Sequence, residues 1–198
     1  MWAEPPLWRR GFAPEQRAAV AELYWQAFGG KLARVLGPRQ RAVAYLQRVI
    51  RADHCLSVSD GQGRLLGVAG FKTPRGGFAG GDRASMRAIY GFWGAYWRET
   101  LLMWLSASVD NHRFLVDGIA VLPEARGQGL GRQLVAALCQ EALARGYGEI
   151  RLEVVDSNPR AKALYERLGF RVIAIENIGL LRWIFGFRQA FVMVKALK

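Results

Sequence analysis

The sequence predicts an α/β protein in which a mixed central sheet is flanked by helices. Three observations predict it. Two helical patterns precede a pair of strands joined by hairpin chemistry. A later strand runs through a glycine-rich turn straight into an amphipathic helix. A second strand, turn, helix and strand then follow. Strands alternating with helices after a hairpin fit an open mixed sheet rather than a barrel or a helical bundle.

In order, residues 7–12 read as extended. Pro14 and Glu15 open a helical pattern carried by Val20, Leu23, Tyr24, Ala27 and Phe28, which Gly29-Gly30 are expected to close. A second helix is predicted after Gly37-Pro38, with Val43, Leu46, Val49 and Ile50 on one face. Strands are predicted at residues 55–59 and 65–72, with Asp60-Gly61-Gln62-Gly63 as the turn between them. A third strand at 114–122 leads past Pro123 into a helix from about 129 to 145, ended by Gly146 and Gly148. Residues 149–155 alternate as a strand, and Asp156-Ser157-Asn158-Pro159 turns into a helix reaching Leu168, where Gly169 caps it. Strands at 170–175 and 190–196 complete the sheet. No repeat or low-complexity linker divides the chain, so one domain is expected over 1–198.

Composition excludes several classes. The chain has 198 residues, 52% of them hydrophobic and 22% charged, which rules out disorder for most of its length. No apolar run approaches the ~18 residues of a membrane span. Glu4, Pro5 and Pro6 stand where a secretion signal needs an apolar core, so a cytoplasmic location is expected. Two cysteines, Cys55 and Cys139, and two histidines, His54 and His112, form no recognisable metal motif. The net charge of +12 raises the question of a polyanionic partner. Arginine supplies nearly all of it, scattered through every segment without a dense run, so nucleic-acid binding is not expected.

Chemistry concentrates in Val121-Leu122-Pro123-Glu124-Ala125-Arg126-Gly127-Gln128-Gly129-Leu130-Gly131-Arg132. A strand, a glycine turn and a helix start aim several backbone N–H groups and the positive end of a helix dipole at one place, where phosphate binds. A P-loop is excluded, because no Lys-Ser or Lys-Thr follows the glycines. The dinucleotide fingerprint fails on its final glycine spacing. Arg-x-x-Gly-x-Gly, as Arg126, Gly129 and Gly131, matches in full, although so short a pattern also occurs in ordinary strand-to-helix turns.

Together with Asn158-Pro159-Arg160-Ala161-Lys162-Ala163-Leu164-Tyr165-Glu166-Arg167-Leu168-Gly169-Phe170, this segment resembles the GNAT superfamily of acetyl-CoA-dependent N-acyltransferases. The resemblance is detailed over residues 114–173 and weaker upstream. It implies a GNAT-like domain that takes acetyl-CoA as acyl donor, with no metal, and a primary amine as acceptor. Backbone groups around Ile119, Ala120 and Val121 would bond the pantetheine amides. Arg126, Gly127, Gln128, Gly129, Leu130, Gly131 and Arg132 would hold the pyrophosphate. Asn158 matches a position that contacts the donor, and Tyr165 matches the usual general acid. The resemblance also implies that strands splay apart here to admit the thioester.

An alkyl amine of pKa about 10.4 is nucleophilic in only about one molecule per thousand near neutral pH, so a carboxylate base is expected. Asp117 is the first candidate, two residues from Ile119 on an otherwise apolar strand. It would equally serve as the partner of a basic side chain or a backbone group. Glu99 and Glu153 are alternatives. Tyr165 could instead pack with Leu164 and Leu168, and Asn158 could cap its helix. Cys139 and Cys55 read as core thiols, and neither histidine is assigned a role.

Two segments depart from the family pattern, at about 74–112 and 176–188. The first carries Ile89, Phe92, Trp93, Tyr96, Trp97, Leu101 and Trp104 at helical spacing, and the second carries Leu180, Leu181, Trp183, Ile184, Phe185 and Phe187. They either pack together as extra core, wall the acceptor site, or form a homodimer or membrane contact. The sequence does not choose the acceptor. A non-catalytic reading also stands, in which the domain binds acetyl-CoA as a regulatory or partner-docking module.

Overall fold

The computed structural model describes residues 5–105 and 112–198. Eight strands and six helices form one mixed sheet with helices on both faces. The strands are β1 (Leu7–Arg10), β2 (Cys55–Ser59), β3 (Leu65–Thr73), β4 (Gly76–Gly77), β5 (Phe114–Val121), β6 (Glu149–Val155), β7 (Arg171–Asn177) and β8 (Gln189–Ala196). The helices are α1 (Arg17–Leu36), α2 (Arg39–Val49), α3 (Arg83–Leu105), α4 (Leu130–Ala144), α5 (Pro159–Arg167) and α6 (Arg182–Phe185). The strand order is β1-β2-β3-β5-β6-β8-β7, with β4 paired to β3. Every pairing is antiparallel except β5 with β6.

Alternation along the strands builds two cores. Leu56, Val58, Ala69 and Phe71 pack with Leu134, Val135, Leu138 and Cys139 of α4 on one face. Cys55, Val68 and Ala120 pack with Val20, Leu23 and Tyr24 of α1 and Leu46 and Val49 of α2 on the other. The β2–β3 turn follows its sequence: the Asp60 carboxylate accepts from Gln62 N–H and Arg64 N–H at 3.1 and 2.8 Å, and Gly63 takes φ 81°.

Three elements differ from the sequence reading. α1 does not end at Gly29-Gly30 but runs to Leu36. A Cβ on Gly29 would lie 3.0 Å from the Trp25 ring, so the glycine gives room for an indole within the helix instead of ending it. The extended segment at 7–12 is in part an edge strand, β1. α3 is broken at Gly91, whose φ of 72° turns the chain between two helical segments.

That break divides the aromatic stripe. Met86, Tyr90 and Ala95 are buried against α1 and α2, whereas Phe92, Trp93 and Tyr96 face outward. The Trp104 side chain lies outside the described residues. At the far end of α3, Leu101 and Leu102 pack with Ile178, Leu181 and Ile184 around Phe185, Phe187 and Val35, so the two aromatic segments do meet.

Burial sets a pH limit on this core. Desolvation raises the Cys55 thiol and the Tyr90 and Tyr165 phenols to about 12, and lifts Cys139, Tyr24 and Tyr45 as well. The folded chain therefore holds protons that the unfolded chain releases above about 8.5 for thiols and ~10 for phenols. The stabilising difference is fully present below those values and is lost as pH rises toward the folded ones. Each fully differing group contributes a slope of about 1.4 kcal/mol per pH unit. Guanidinium unfolding at pH 8 and pH 11 is expected to show a clear fall in midpoint with an unchanged m-value.

Candidate active site

The site forms where β5 and β6 part. They pair only at Phe114↔Ile150 and Leu115↔Arg151. Beyond that point the strands enclose a cavity of about 1580 Å³, larger than the ~300–1,000 Å³ typical of a site for one small molecule.

The edge of β5 facing this opening carries free backbone groups. Leu122 N–H donates to Leu66 C=O at 2.9 Å. Antiparallel alternation then turns the Ala120 groups toward β3 and those of Ile119 and Val121 toward the opening. Of the three predicted backbone positions, Ile119 and Val121 are thus placed to bond a ligand, and Ala120 is committed to the sheet. The Val121 carbonyl also accepts from Arg126 Nε at 3.1 Å.

One residue earlier the strand bulges. Register passes from Gly70↔Gly118 to Phe71↔Val116, so Asp117 is the extra residue, and the bulge re-aims the strand beside the opening. Gly118 must lack a side chain: a Cβ there would lie 2.6 Å from Phe28 Cζ, so α1 presses an aromatic ring directly on the bulge. The Asp117 carboxylate accepts from Ala79 N–H at 2.8 Å, and its other oxygen stands 3.6 Å from Lys72 Nζ. It lines the cavity while holding the turn after β4 in place. The contacts it makes are those of the second sequence reading, a backbone N–H and a basic side chain.

The other carboxylates of the cavity wall are similarly tied. Glu99 Oε2 pairs with Arg83 Nε at 3.1 Å, while its Oε1 is buried without a hydrogen-bond partner. Glu153 pairs with Arg151 at 2.9 Å.

On the other side of the opening stands the start of α4. Gly127 and Gly129 take φ of 78° and 81°, a left-handed backbone that glycine adopts without strain. Gly129 gives the helix no side-chain cap, and the first intrahelical bond is Gln133 N–H to Gly129 C=O. The N–H groups of Leu130, Gly131 and Arg132 are left for an anion. Arg126 and Arg132 line the same end, joined by Arg160 and Arg167 of α5. Gln128 is turned away, its amide donating to Glu124 C=O at 3.2 Å.

α5 brings the remaining two candidates. Asn158 Oδ1 caps the helix by accepting from Ala161 N–H at 3.2 Å, and the residue also lines the cavity. Tyr165 packs on Phe170, with ring centroids 5.8 Å apart, and its hydroxyl has no hydrogen-bond partner within the described residues. The apolar surroundings push its pKa up to about 12.

Sequence reasoning missed the α1 side of the cavity. Tyr24, Phe28 and Lys31 all line it, and their spacing of four and three residues places them on one helical face. That periodicity was the available signal, obscured because the helix was expected to stop at Gly29. Leu102 and Met103 of α3 and Ile178 and Phe187 from the second aromatic segment complete the wall.

Comparison with known proteins agrees with this geometry. The profile of the acetyltransferase (GNAT) family matches residues 17–170. A thialysine N-epsilon-acetyltransferase of Bos taurus is 43% identical over 27% of this chain and 32% of its own length. A streptothricin acetyltransferase of Streptomyces lavendulae is 36% identical over 37% of this chain and 39% of its own. The chain thus spans about a third of the length of such curated relatives. A solved N-acetyltransferase of Staphylococcus aureus superposes with a TM-score of 0.65 at 13% identity, covering 96% of this chain and 100% of that one, a likeness of fold. The match over most of the chain, on a fold whose central strands part beside a glycine-led helix, places the chain in the GNAT acetyltransferase family.

Proposed function

We propose that the chain transfers the acetyl group of acetyl-CoA directly to a primary amine. The observation that carries this reading is the parting of β5 and β6 between an uncapped helix N-terminus and an aromatic-walled cavity that Asp117 lines. The residues present suit the donor. Ile119 and Val121 offer backbone bonds to an extended amide-bearing arm. The first turn of α4, with Arg126 and Arg132, suits a pyrophosphate. Asn158 lines the same cavity.

Acetyl-CoA supplies an activated acyl group on a thiol that leaves when the amine attacks. The backbone N–H at Ile119 is the candidate donor to the oxygen that gains charge, a role worth about 3 kcal/mol for a well-placed group. Asp117, anchored by Ala79 N–H, is the candidate base for the acceptor, directly or through water. Tyr165 provides the proton for the leaving sulfur. A phenol with a pKa of about 12 is fully protonated in neutral water. Transfer to a solvated thiolate, whose conjugate thiol has pKa about 8.5, would be uphill by roughly 5 kcal/mol. An apolar setting for the sulfur narrows that gap, because desolvation disfavours the thiolate and raises a thiol's pKa.

Cys55 and Cys139 are both buried and free, which supports a reducing, cytoplasmic setting. The test is an amine screen that follows release of free coenzyme A thiol. Thiol release that depends on both acetyl-CoA and an amine is expected. Binding of acetyl-CoA with no amine-dependent release would favour a regulatory binding module.

A further inference from the structure

Lys31 stands apart from the other cations at the acceptor end of the cavity. Lys72 lies beside Asp117, Arg83 pairs with Glu99 and Arg151 pairs with Glu153. Lys31 has no carboxylate within ion-pair distance among the described residues. Its ammonium instead lies 5.6 Å from the centre of the Phe28 ring and 5.7 Å from that of Phe187. Its desolvation lowers its pKa, and the nearest opposing influence is the more distant Glu153. The two rings attract the ammonium but accept no charged hydrogen bond from it, so an added carboxylate would complete its contacts.

The position of Lys31 ties it to the reaction. Phe28, one of its two rings, is the side chain pressed on Gly118 at the β5 bulge. Phe187, the other, belongs to the second aromatic segment and lines the cavity with it. The ammonium therefore sits a ring's breadth from the parted strands, on the side away from α4. The same cavity is lined by Asp117 and Glu99 and by the apolar side chains of Leu32, Leu102 and Ile178. The cavity wall thus holds carboxylates already matched by cations, an ammonium with no carboxylate partner among the described residues, and an apolar surface.

We infer that Lys31 binds a carboxylate on the acceptor, so that the acceptor is an amino acid or a related amino carboxylate with an apolar body. This rests on the acetyl-transfer reading and sharpens its substrate class. The amine would lie toward Asp117 and the thioester, and the carboxylate toward Lys31. A single ammonium without backbone N–H groups or an arginine fork suits a carboxylate better than a phosphate, for which the start of α4 is the built site.

The test compares each amino carboxylate with its amide: leucine, phenylalanine, lysine and 5-aminopentanoate against leucinamide, phenylalaninamide, lysinamide and 5-aminopentanamide. The wild-type chain is expected to favour at least one carboxylate over its amide by about ten- to hundred-fold in kcat/KM, the range of a charged hydrogen bond. In Lys31→Met that ratio falls to near one, chiefly through KM, while kcat on the amide and the affinity for acetyl-CoA stay within about threefold. Lys31→Arg retains part of the preference.

Four outcomes overturn the inference. Wild type could use amides as well as the acids, or bind acetyl-CoA and acetylate none of the acids. Lys31→Met could lower kcat equally on both members of a pair, which would place Lys31 in proton transfer instead. Failure of the wild type to bind acetyl-CoA at all would remove the acetyl-transfer reading, and this inference with it.

Discussion

Gly131→Glu is expected to weaken acetyl-CoA binding about a thousandfold, while Gly131→Ala leaves it within a few-fold. Gly131 sits in the first turn of α4, and a Cβ there would meet only Leu164 Cδ2, at an ordinary 3.6 Å. Alanine thus tests the space and finds it adequate. Glutamate tests the charge. It puts a carboxylate beside helix N–H groups that would face a pyrophosphate, exchanging attraction for repulsion. Two unit charges about 4 Å apart interact by about 4 kcal/mol at the effective dielectric of a protein surface, which corresponds to roughly three decades in affinity. Calorimetric titration of the two variants separates these effects. Equal affinity of wild type and Gly131→Glu would show that the glycine turn is only a connection between strand and helix.

Tyr165→Phe is expected to lower kcat by about 10²- to 10⁴-fold with little change in acceptor KM. The ring contact with Phe170 survives the change, and the lost hydroxyl makes no hydrogen bond within the described protein. Folding stability should consequently remain within about 0.5 kcal/mol of wild type. This combination separates a proton donor from a packing residue. A structural tyrosine would lose stability and leave turnover intact. Measurement of kcat, KM and the denaturant midpoint on the same preparation decides between them.

The glycine-led helix was legible because its signals are local. Left-handed positions at Gly127 and Gly129 require glycine, and Leu130 onward carries an amphipathic pattern whatever lies around it. Asn158 as a cap and Gly169 as a stop are equally local. What the chain hides depends on tertiary neighbours. Gly29 reads as a terminator until Trp25 is seen to occupy its missing side chain. The acidic character of Asp117 was visible, but not that Ala79, from a distant turn, would bind it. Backbone groups at Ile119, Ala120 and Val121 looked equivalent in sequence. Register alone divides them, sending Ala120 to β3. The helical spacing of Lys31 with Tyr24 and Phe28 was readable, but nothing in one helix announces that Phe187, more than a hundred residues later, will lie beside it.

The aromatic segments show the same division between pattern and placement. Their spacing gave helices, and their mutual packing at Leu101, Leu102, Phe185 and Phe187 is the extra-core arrangement among the sequence alternatives. They are extra core at one end and cavity wall at Leu102, Met103, Ile178 and Phe187.

The most direct measurement is calorimetric titration of the purified chain with acetyl-CoA, with desulfo-CoA and NAD as comparisons. Micromolar binding of both coenzyme A compounds, with none of NAD, is the predicted result. Absence of binding by either coenzyme A compound would contradict the assignment of the parted strands and the α4 terminus as an acyl-donor site.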